Sequence, residues 1–269
     1  MVDNKFFVID AHCHIYPDKI AKKAAGATDN FYHVHGFGDG TVGMLRREGE
    51  KAGIDKFIVQ SVATTPKQVS SINNFIAKTA EQSGGKMFGL GTLHPESEDL
   101  ERDVEEIVSL GLHGVKLHPD IQGFKIDDYR CLKIYELCEK AHLPILMHTG
   151  DSRYDNSNPN RLIPVLEIYT DLIIIGAHFG GWSLWEEASK KLSGIKNLYV
   201  DCSSTFAWIK DNETVKEMIE RYGTDRVLFG TDYPMWSPKT ELDRFMSLGC
   251  SDEVNRQILS QNAEKVFGI

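Results

Sequence analysis

Eight short apolar runs punctuate the chain: KFFVIDAHCHI (5–15), KFIVQSVAT (56–64), MFGLGTLHP (87–95), GVKLHPD (114–120), PILMHTGD (144–151), LIIIGAHFGG (172–181), LYVDCSSTF (198–206) and VLFGTDYP (227–234). Each is bounded by turn-forming or polar residues, the pattern of a buried strand. From the second onward they begin every 26–31 residues, whereas the first gap is 51 residues.

The segments between them carry a helical period. In 100–111, Leu100, Val104, Ile107 and Val108 gather on one face and a glycine closes the segment. In 127–142, Tyr129, Leu132, Tyr135 and Leu137 stand among charges, with Asp127 or Asp128 as the N-cap. Segments 158–170, 182–193, 211–222 and 251–267 read the same way. Strands alternating with helices imply parallel βαβ units, and near-continuous apolar strands fit a sheet covered on both faces. Eight such units in about 250 residues predict one (β/α)8 TIM-barrel domain spanning 1–269, with a doubly wound open sheet as the alternative. Segment 16–41 predicts a long irregular loop, which is usually functional or mobile.

Composition narrows the function classes. The 269 residues are 41% hydrophobic and 26% charged, as in an ordinary globular chain. A net charge of −9 without a basic block argues against nucleic acid. No run approaches 18 uninterrupted apolar residues, so no membrane span is expected. Five cysteines, Cys13, Cys131, Cys138, Cys202 and Cys250, do not form a disulfide framework. The start, MVDNKFFVID, is acidic and too poor in apolar residues for a signal peptide. A cytoplasmic location follows as the expectation. No G-x-G-x-x-G phosphate loop is present, which argues against nucleotides.

The strand ends carry the chemistry. In this fold active sites gather at the C-terminal ends of the strands. Six of the ten histidines fall there: His12, His14, His94, His118, His148 and His178. His12 and His14 stand two apart on one strand, so they project together and can chelate a divalent cation. Strand eight neighbours strand one in a closed barrel, which brings Asp232 toward that pair, while His148 and His178 approach across the mouth. Nitrogen and carboxylate donors of this kind suit zinc or another divalent first-row metal.

These motifs resemble the amidohydrolase superfamily: D-x-H-x-H on strand one, histidines on strands five and six, and G-T-D on strand eight. GVKLHPD, MHTGD, AHFGG and GTDYP are similar to its amidohydrolase-related branch, which includes aminocarboxymuconate-semialdehyde decarboxylase, related aromatic-acid decarboxylases, and hydrolases. The resemblance implies His12, His14, His148 and Asp232 as ligands of one zinc, or manganese, per chain. It makes His178 the general base for a water, with Asp232 sharing in catalysis. A second arrangement in the superfamily implies two ions bridged by a carboxylated Lys116, with His148 and His178 on the second ion. Otherwise Lys116 is an ammonium paired with Asp232 or Asp10, or one that holds a substrate carboxylate.

Further residues have paired readings. Asp10 either orients a ligand or is satisfied by backbone and neighbouring lysine groups. His118 is expected to line the pocket, and His94 to pack in a loop. Arg153 suits bidentate carboxylate binding, or else pairs with Asp151 or Asp155. Arg161 is expected on the surface. Trp182 and Trp236 wall the pocket or simply pack. His33 and His35 repeat the H-x-H spacing on a loop, where lining a lid hinged by Gly36, Gly38 and Gly40 is the better reading. Cys13 is expected to point away from the site, and Cys202 either way.

The leading expectation is a metal-dependent hydrolase acting on a C–N or C–O bond of a small, carboxylate-bearing substrate. The alternative is non-oxidative decarboxylation of an unsaturated or aromatic acid. The chain is short for that decarboxylase group, with fewer insertions to enclose a ring, which inclines the reading to hydrolysis. A non-catalytic metal-binding barrel is the rival of another class. A homodimer is the default expectation for assembly.

Overall fold

The computed structural model describes residues 5–269. The first four residues of the segment read for a signal peptide lie outside the described residues.

All eight apolar runs contain strand: β1 (Ile9–His14), β2 (Lys56–Gln60), β3 (Met87–Gly89), β4 (Gly91–Thr92), β5 (Val115–Leu117), β6 (Ile145–Met147), β7 (Ile174–Gly176), β8 (Leu198–Asp201) and β9 (Val227–Leu228). β3 and β4 are two halves of one stave. The first half pairs with β2 and the second with β5, with Leu90 between them. Every ladder is parallel. Backbone bonds close the ring between the last stave and the first: Ala11 N–H to Phe229 O at 2.9 Å and Asp232 N–H to His12 O at 2.8 Å. The fold is an eight-stave TIM barrel.

Its helices are α1 (Asp18–Tyr32), α2 (Val42–Ala52), α3 (Val69–Gln82), α4 (Leu100–Ser109), α5 (Pro119–Gln122), α6 (Leu132–Lys140), α7 (Leu162–Ile168), α8 (Trp185–Leu192), α9 (Asn212–Tyr222), α10 (Pro238–Met246), α11 (Asp252–Arg256) and α12 (Asn262–Phe267). Alternation of side chains along each stave builds two apolar layers. Ile9, Ala11, Ile58, Leu90, Leu146, Ile175 and Leu228 fill the barrel together with Val266 and Phe267 of α12. Val8, Cys13, Phe57, Val59, Val115, Cys202 and Phe229 pack outward among the helices. Cys13 therefore points away from the site as expected, and Cys202 joins the same outer layer.

Three expectations are corrected. Segment 16–41 is mostly the helix α1, which His33 ends in a left-handed conformation (φ 56°) with its N–H on Asp29 O. Alanines at 21, 24, 25 and 27 favour helix without giving a strong apolar stripe. The following glycines serve close approach rather than a hinge. Phe37 and Gly38 N–H bond to Met235 and Pro234 carbonyls, and a Cβ on Gly38 would lie 2.5 Å from the Tyr233 ring. The predicted helix faces are also shifted. Val108 is 53% exposed and Tyr129 81% exposed, whereas Cys131, Ile134, Tyr135 and Cys138 form the buried face of the 127–142 segment. Asp128 does cap that segment, accepting from Arg130 N–H. Among the described residues, no helix is long and apolar enough to cross a membrane.

Candidate functional site

The ends of β1, β5, β6, β7 and β8 and the loop after β9 converge on one mouth. At its centre, His12 Nε2 and His14 Nε2 are 3.2 Å apart, and Asp232 Oδ1 lies 3.3 Å and 3.5 Å from them. The strand alternation that brings the two histidines together does not extend back to Asp10. The β1–β2 register shifts between Asp10 and Cys13, and Asp10 is buried on other work. It accepts from the backbone N–H groups of His12 (3.2 Å) and Thr231 (2.9 Å) and from the Thr231 hydroxyl (2.6 Å). It ties β1 to the strand-eight loop, and its burial raises its pKa to about 6.

The tautomer of His12 follows from its partner. Asp201, at the end of β8, takes the His12 Nδ1–H at 2.8 Å. The lone pair of His12 is thereby on Nε2, facing His14 and Asp232. Burial pushes the Asp201 pKa up. The facing His12 and His178, with hydrogen bonds from His12 and Ser203, outweigh it and hold the carboxylate well below its ordinary range. His14 is kept neutral by burial and by the nearby Lys116 charge. Two imidazole nitrogens and a carboxylate oxygen, all within 4.8 Å of one another, are the donor set of a divalent metal. Lys116 is fully buried with Nζ 3.1 Å from His12 Nε2, so its ammonium makes the contact that a cation would replace. Burial lowers its pKa to about 8 against the pull of Asp232 and Asp201. It forms no ion pair with the expected Asp10 or Asp232 within 4.0 Å.

His148 and His178 complete the ring of imidazoles. Nδ1 of His178 faces two acceptors, Ser203 O at 3.1 Å and Ser203 Oγ at 2.9 Å, the latter donating its own proton to Asp201 at 2.5 Å. His178 therefore carries its proton on Nδ1 and its lone pair on Nε2. Burial lowers its pKa to about 4, so it is a neutral imidazole near pH 7. His148 Nδ1 lies 3.1 Å from that Nε2. His148 is thus adjacent to, but outside, the tight His12–His14–Asp232 group. A second candidate group is His118, Asp120 and His148. His118 Nδ1 caps α5 by accepting from Ile121 N–H at 3.4 Å, which places its proton on Nε2 and suits it poorly to a cation.

A cavity of about 610 Å³ opens beside these groups. His12, His14, Lys116, His118, His148, His178 and Asp232 line one end, and Ile20, Phe31, Tyr32, Ile72, Phe75 and Met235 line much of the rest. His118 lines it as expected. Arg153 does not line it. The guanidinium is committed to Asp151 (2.7 Å) and to Phe31 O (2.9 Å), the pairing that stood as its other reading. Trp182 and Trp236 line a small neighbouring space of about 20 Å³, not the large cavity. Trp236 donates to Ser204 Oγ at 2.7 Å, and Ser204 donates to Asp232 Oδ2 at 2.5 Å, so this tryptophan positions a candidate ligand. His94 packs in a loop, taking Glu96 N–H on Nδ1. Arg161 is half-buried and pairs with Asp127 and Asp155. His33 and His35 enter no candidate metal group, and the His35 side chain is 98% exposed. Asp201, Ser203, Ser204 and Tyr32 belong to the site without having been singled out in the sequence. Asp201 occupies the same strand-end position as the histidines, which was the available signal.

A family model described as amidohydrolase matches residues 9–269. A curated relative, 2-amino-3-carboxymuconate-6-semialdehyde decarboxylase of Dictyostelium discoideum, is 22% identical over 206 residues, covering 61% of this chain and 55% of the relative. The match thus spans about half of that relative's length. An uncharacterised TIM-barrel protein of Bordetella bronchiseptica superimposes with a TM-score of 0.81 at 21% identity, covering 98% of this chain and 99% of the other. A dihydroxybenzoic acid decarboxylase of Polaromonas sp. JS666, solved with bound manganese and 2-nitroresorcinol, gives 0.74 at 17% identity, covering 98% and 97%.

Proposed function

The chain belongs to the amidohydrolase family, and from that premise we propose a metal-dependent, non-oxidative decarboxylase of an unsaturated or aromatic carboxylic acid. The observation that carries the reading is the cavity: polar and charged at one end, apolar and aromatic along Ile20, Phe31, Ile72 and Phe75, and about 610 Å³ in volume. The argument for hydrolysis from too few enclosing insertions loses its footing, because α1 and α3 supply those walls. The decarboxylase names of the curated relative and of the manganese-bound neighbour support the same direction.

A zinc or manganese ion held by His12, His14, His148 and Asp232 would supply Lewis-acid polarisation of a substrate oxygen. Lys116 adds a buried positive charge opposite an incoming carboxylate. Asp201 holds His12 in the ligating tautomer, and Trp236 with Ser204 holds Asp232. His178, neutral and with its lone pair on Nε2, takes a proton from a water on that nitrogen and returns it. In decarboxylation the electrons of the broken C–C bond stay on the substrate carbon, which accepts that proton, while the hydroxide left from the water goes with the departing carbon dioxide as bicarbonate. Hydrolysis of a C–N or C–O bond uses the same base on a water and is the second reading, supported by the neutral, protein-held state of His178. The proposal includes a small-molecule substrate, a cytosolic location and a homodimer, the last tested by size-exclusion chromatography.

The deciding experiment incubates zinc-loaded and manganese-loaded protein with a panel of aromatic and unsaturated acids and measures released carbon dioxide. Release from an acid supports decarboxylation. Cleavage of amides or lactones without carbon dioxide moves the assignment to hydrolysis. Elemental analysis of the same samples separates one ion per chain from two, and two would give Lys116 the role of a carboxylated bridge.

A further inference from the structure

The hydrogen bonds of the mouth have a fixed direction. His178 holds its proton toward Ser203, so its Nε2 can only accept, and His148 must donate to it from Nδ1 at 3.1 Å. This leaves the His148 lone pair on Nε2. From the other end, Ile121 N–H donates to His118 Nδ1, so His118 donates from Nε2. Between these two Nε2 atoms stands the Tyr32 hydroxyl, 2.7 Å from His118 and 3.3 Å from His148. A phenol has one proton to give. Taking the His118 proton on its oxygen, Tyr32 gives its own to the His148 lone pair, the same lone pair assigned above to the metal.

We propose that Tyr32 is a positioning residue that competes with a cation for His148 Nε2: its hydroxyl hydrogen-bonds that lone pair, and a cation bound there would displace the hydroxyl toward His118 and the cavity. The inference rests on the reading of His148 as a ligand. Tyr32 is placed for both states, since it lines the large cavity and the small space behind it. Its helix end is held at the mouth while the hydroxyl changes partner. Arg153 donates to Phe31 O at 2.9 Å, is anchored on Asp151, and has its guanidinium carbon 5.3–5.8 Å from the ring centroids of Phe31, Tyr32 and Trp182. This gives Arg153 a use that the cavity does not: it latches α1 over the mouth.

The test uses zinc alone as the probe, on the full chain, by competition with a fluorescent zinc chelator. His148→Ala is expected to weaken zinc binding at least about tenfold. Tyr32→Phe, which keeps the ring and removes the hydroxyl, is expected to tighten it about three- to tenfold, because a competing hydrogen bond is gone. Unchanged or weaker binding in Tyr32→Phe overturns the inference while leaving His148 as a ligand. Unchanged binding in His148→Ala overturns both. A second measurement needs no folded variant: in 3-fluorotyrosine-labelled wild-type protein, the Tyr32 fluorine resonance should shift when zinc is added, and a resonance that stays in place refutes the competition.

Discussion

His178 and Asp201 stand on opposite sides of the same serine, yet their replacements should have different signatures. His178 forms a candidate group with His12 and Asp201 but none with His14 or with the Asp232 carboxylate, its Nδ1 is held by Ser203, and its Nε2 lone pair faces into the mouth through His148. His178→Asn should therefore cut turnover by about 10²–10⁴-fold with zinc content unchanged. A parallel loss of zinc would mean that His178 is itself a ligand. Asp201→Asn removes the charge that fixes the His12 tautomer, and zinc affinity should fall about 10–100-fold, measured by chelator competition. Affinity equal to wild type would show that Ser203 alone can orient His12. At this scale the sequence was legible wherever a residue type is rare at a strand end. It revealed the H-x-H pair, His118, His148, His178 and Asp232. It concealed Asp201, Ser203 and Ser204, whose work is defined only by which imidazole nitrogen they face. It left Asp10 between two readings, and the structure satisfies that carboxylate with backbone N–H groups and Thr231, because a register shift within β1 breaks the alternation that would have put it beside the histidines.

Elements were legible where large apolar side chains mark them. All eight runs contain strand, because a stave buried on both faces must be apolar throughout. The helix α1 escaped, since its buried positions are Ala21 and Ala25 rather than leucines. The buried face of the 127–142 segment was misjudged because Cys131 and Cys138 carry it, while Tyr129 is held only at the surface. Two glycines test how these helices are fitted to the barrel. A Cβ on Gly49 of α2 would lie 2.4 Å from the fully buried Phe57 ring of β2, so Gly49→Ala should cost about 1–3 kcal/mol. A Cβ on Gly26 of α1 meets nothing within 4 Å, so Gly26→Ala should gain about 0.5–1 kcal/mol from helix propensity. Thermal melts should move in opposite directions. A gain in Gly49→Ala would mean that α2 rides free of the barrel wall.

The whole molecule gathers negative charge behind the mouth, and this makes stability depend on pH. Glu241 of α10 is 2% exposed and its Oε2 has no hydrogen-bond partner. Burial, with Asp232 and Asp10 as charged neighbours, raises its pKa to about 8, against the opposing Lys210 and Arg244. The unfolded chain releases that proton near the ordinary glutamate value of 4.5, whereas the folded chain keeps it up to about 8. Between those limits the folded state binds more protons, so stability falls as pH rises, by at most about 1.4 kcal/mol per pH unit for one proton. Asp10, raised to about 6, adds a smaller loss at lower pH, between 3.8 and 6. In denaturant melts of the metal-free protein from pH 6 to 8, wild type should lose stability relative to Glu241→Gln as pH rises. The buried imidazoles His14, His118, His148 and His178, whose pKa values are lowered, drive stability the other way, but they do so equally in both proteins and cancel in the difference. A difference that does not change with pH would place the buried proton elsewhere. The expected loss would mean that the barrel tolerates its carboxylates behind the mouth by keeping one of them neutral, and that a cation at Asp232 relieves the same strain from the other side by offsetting the charge that raises Glu241.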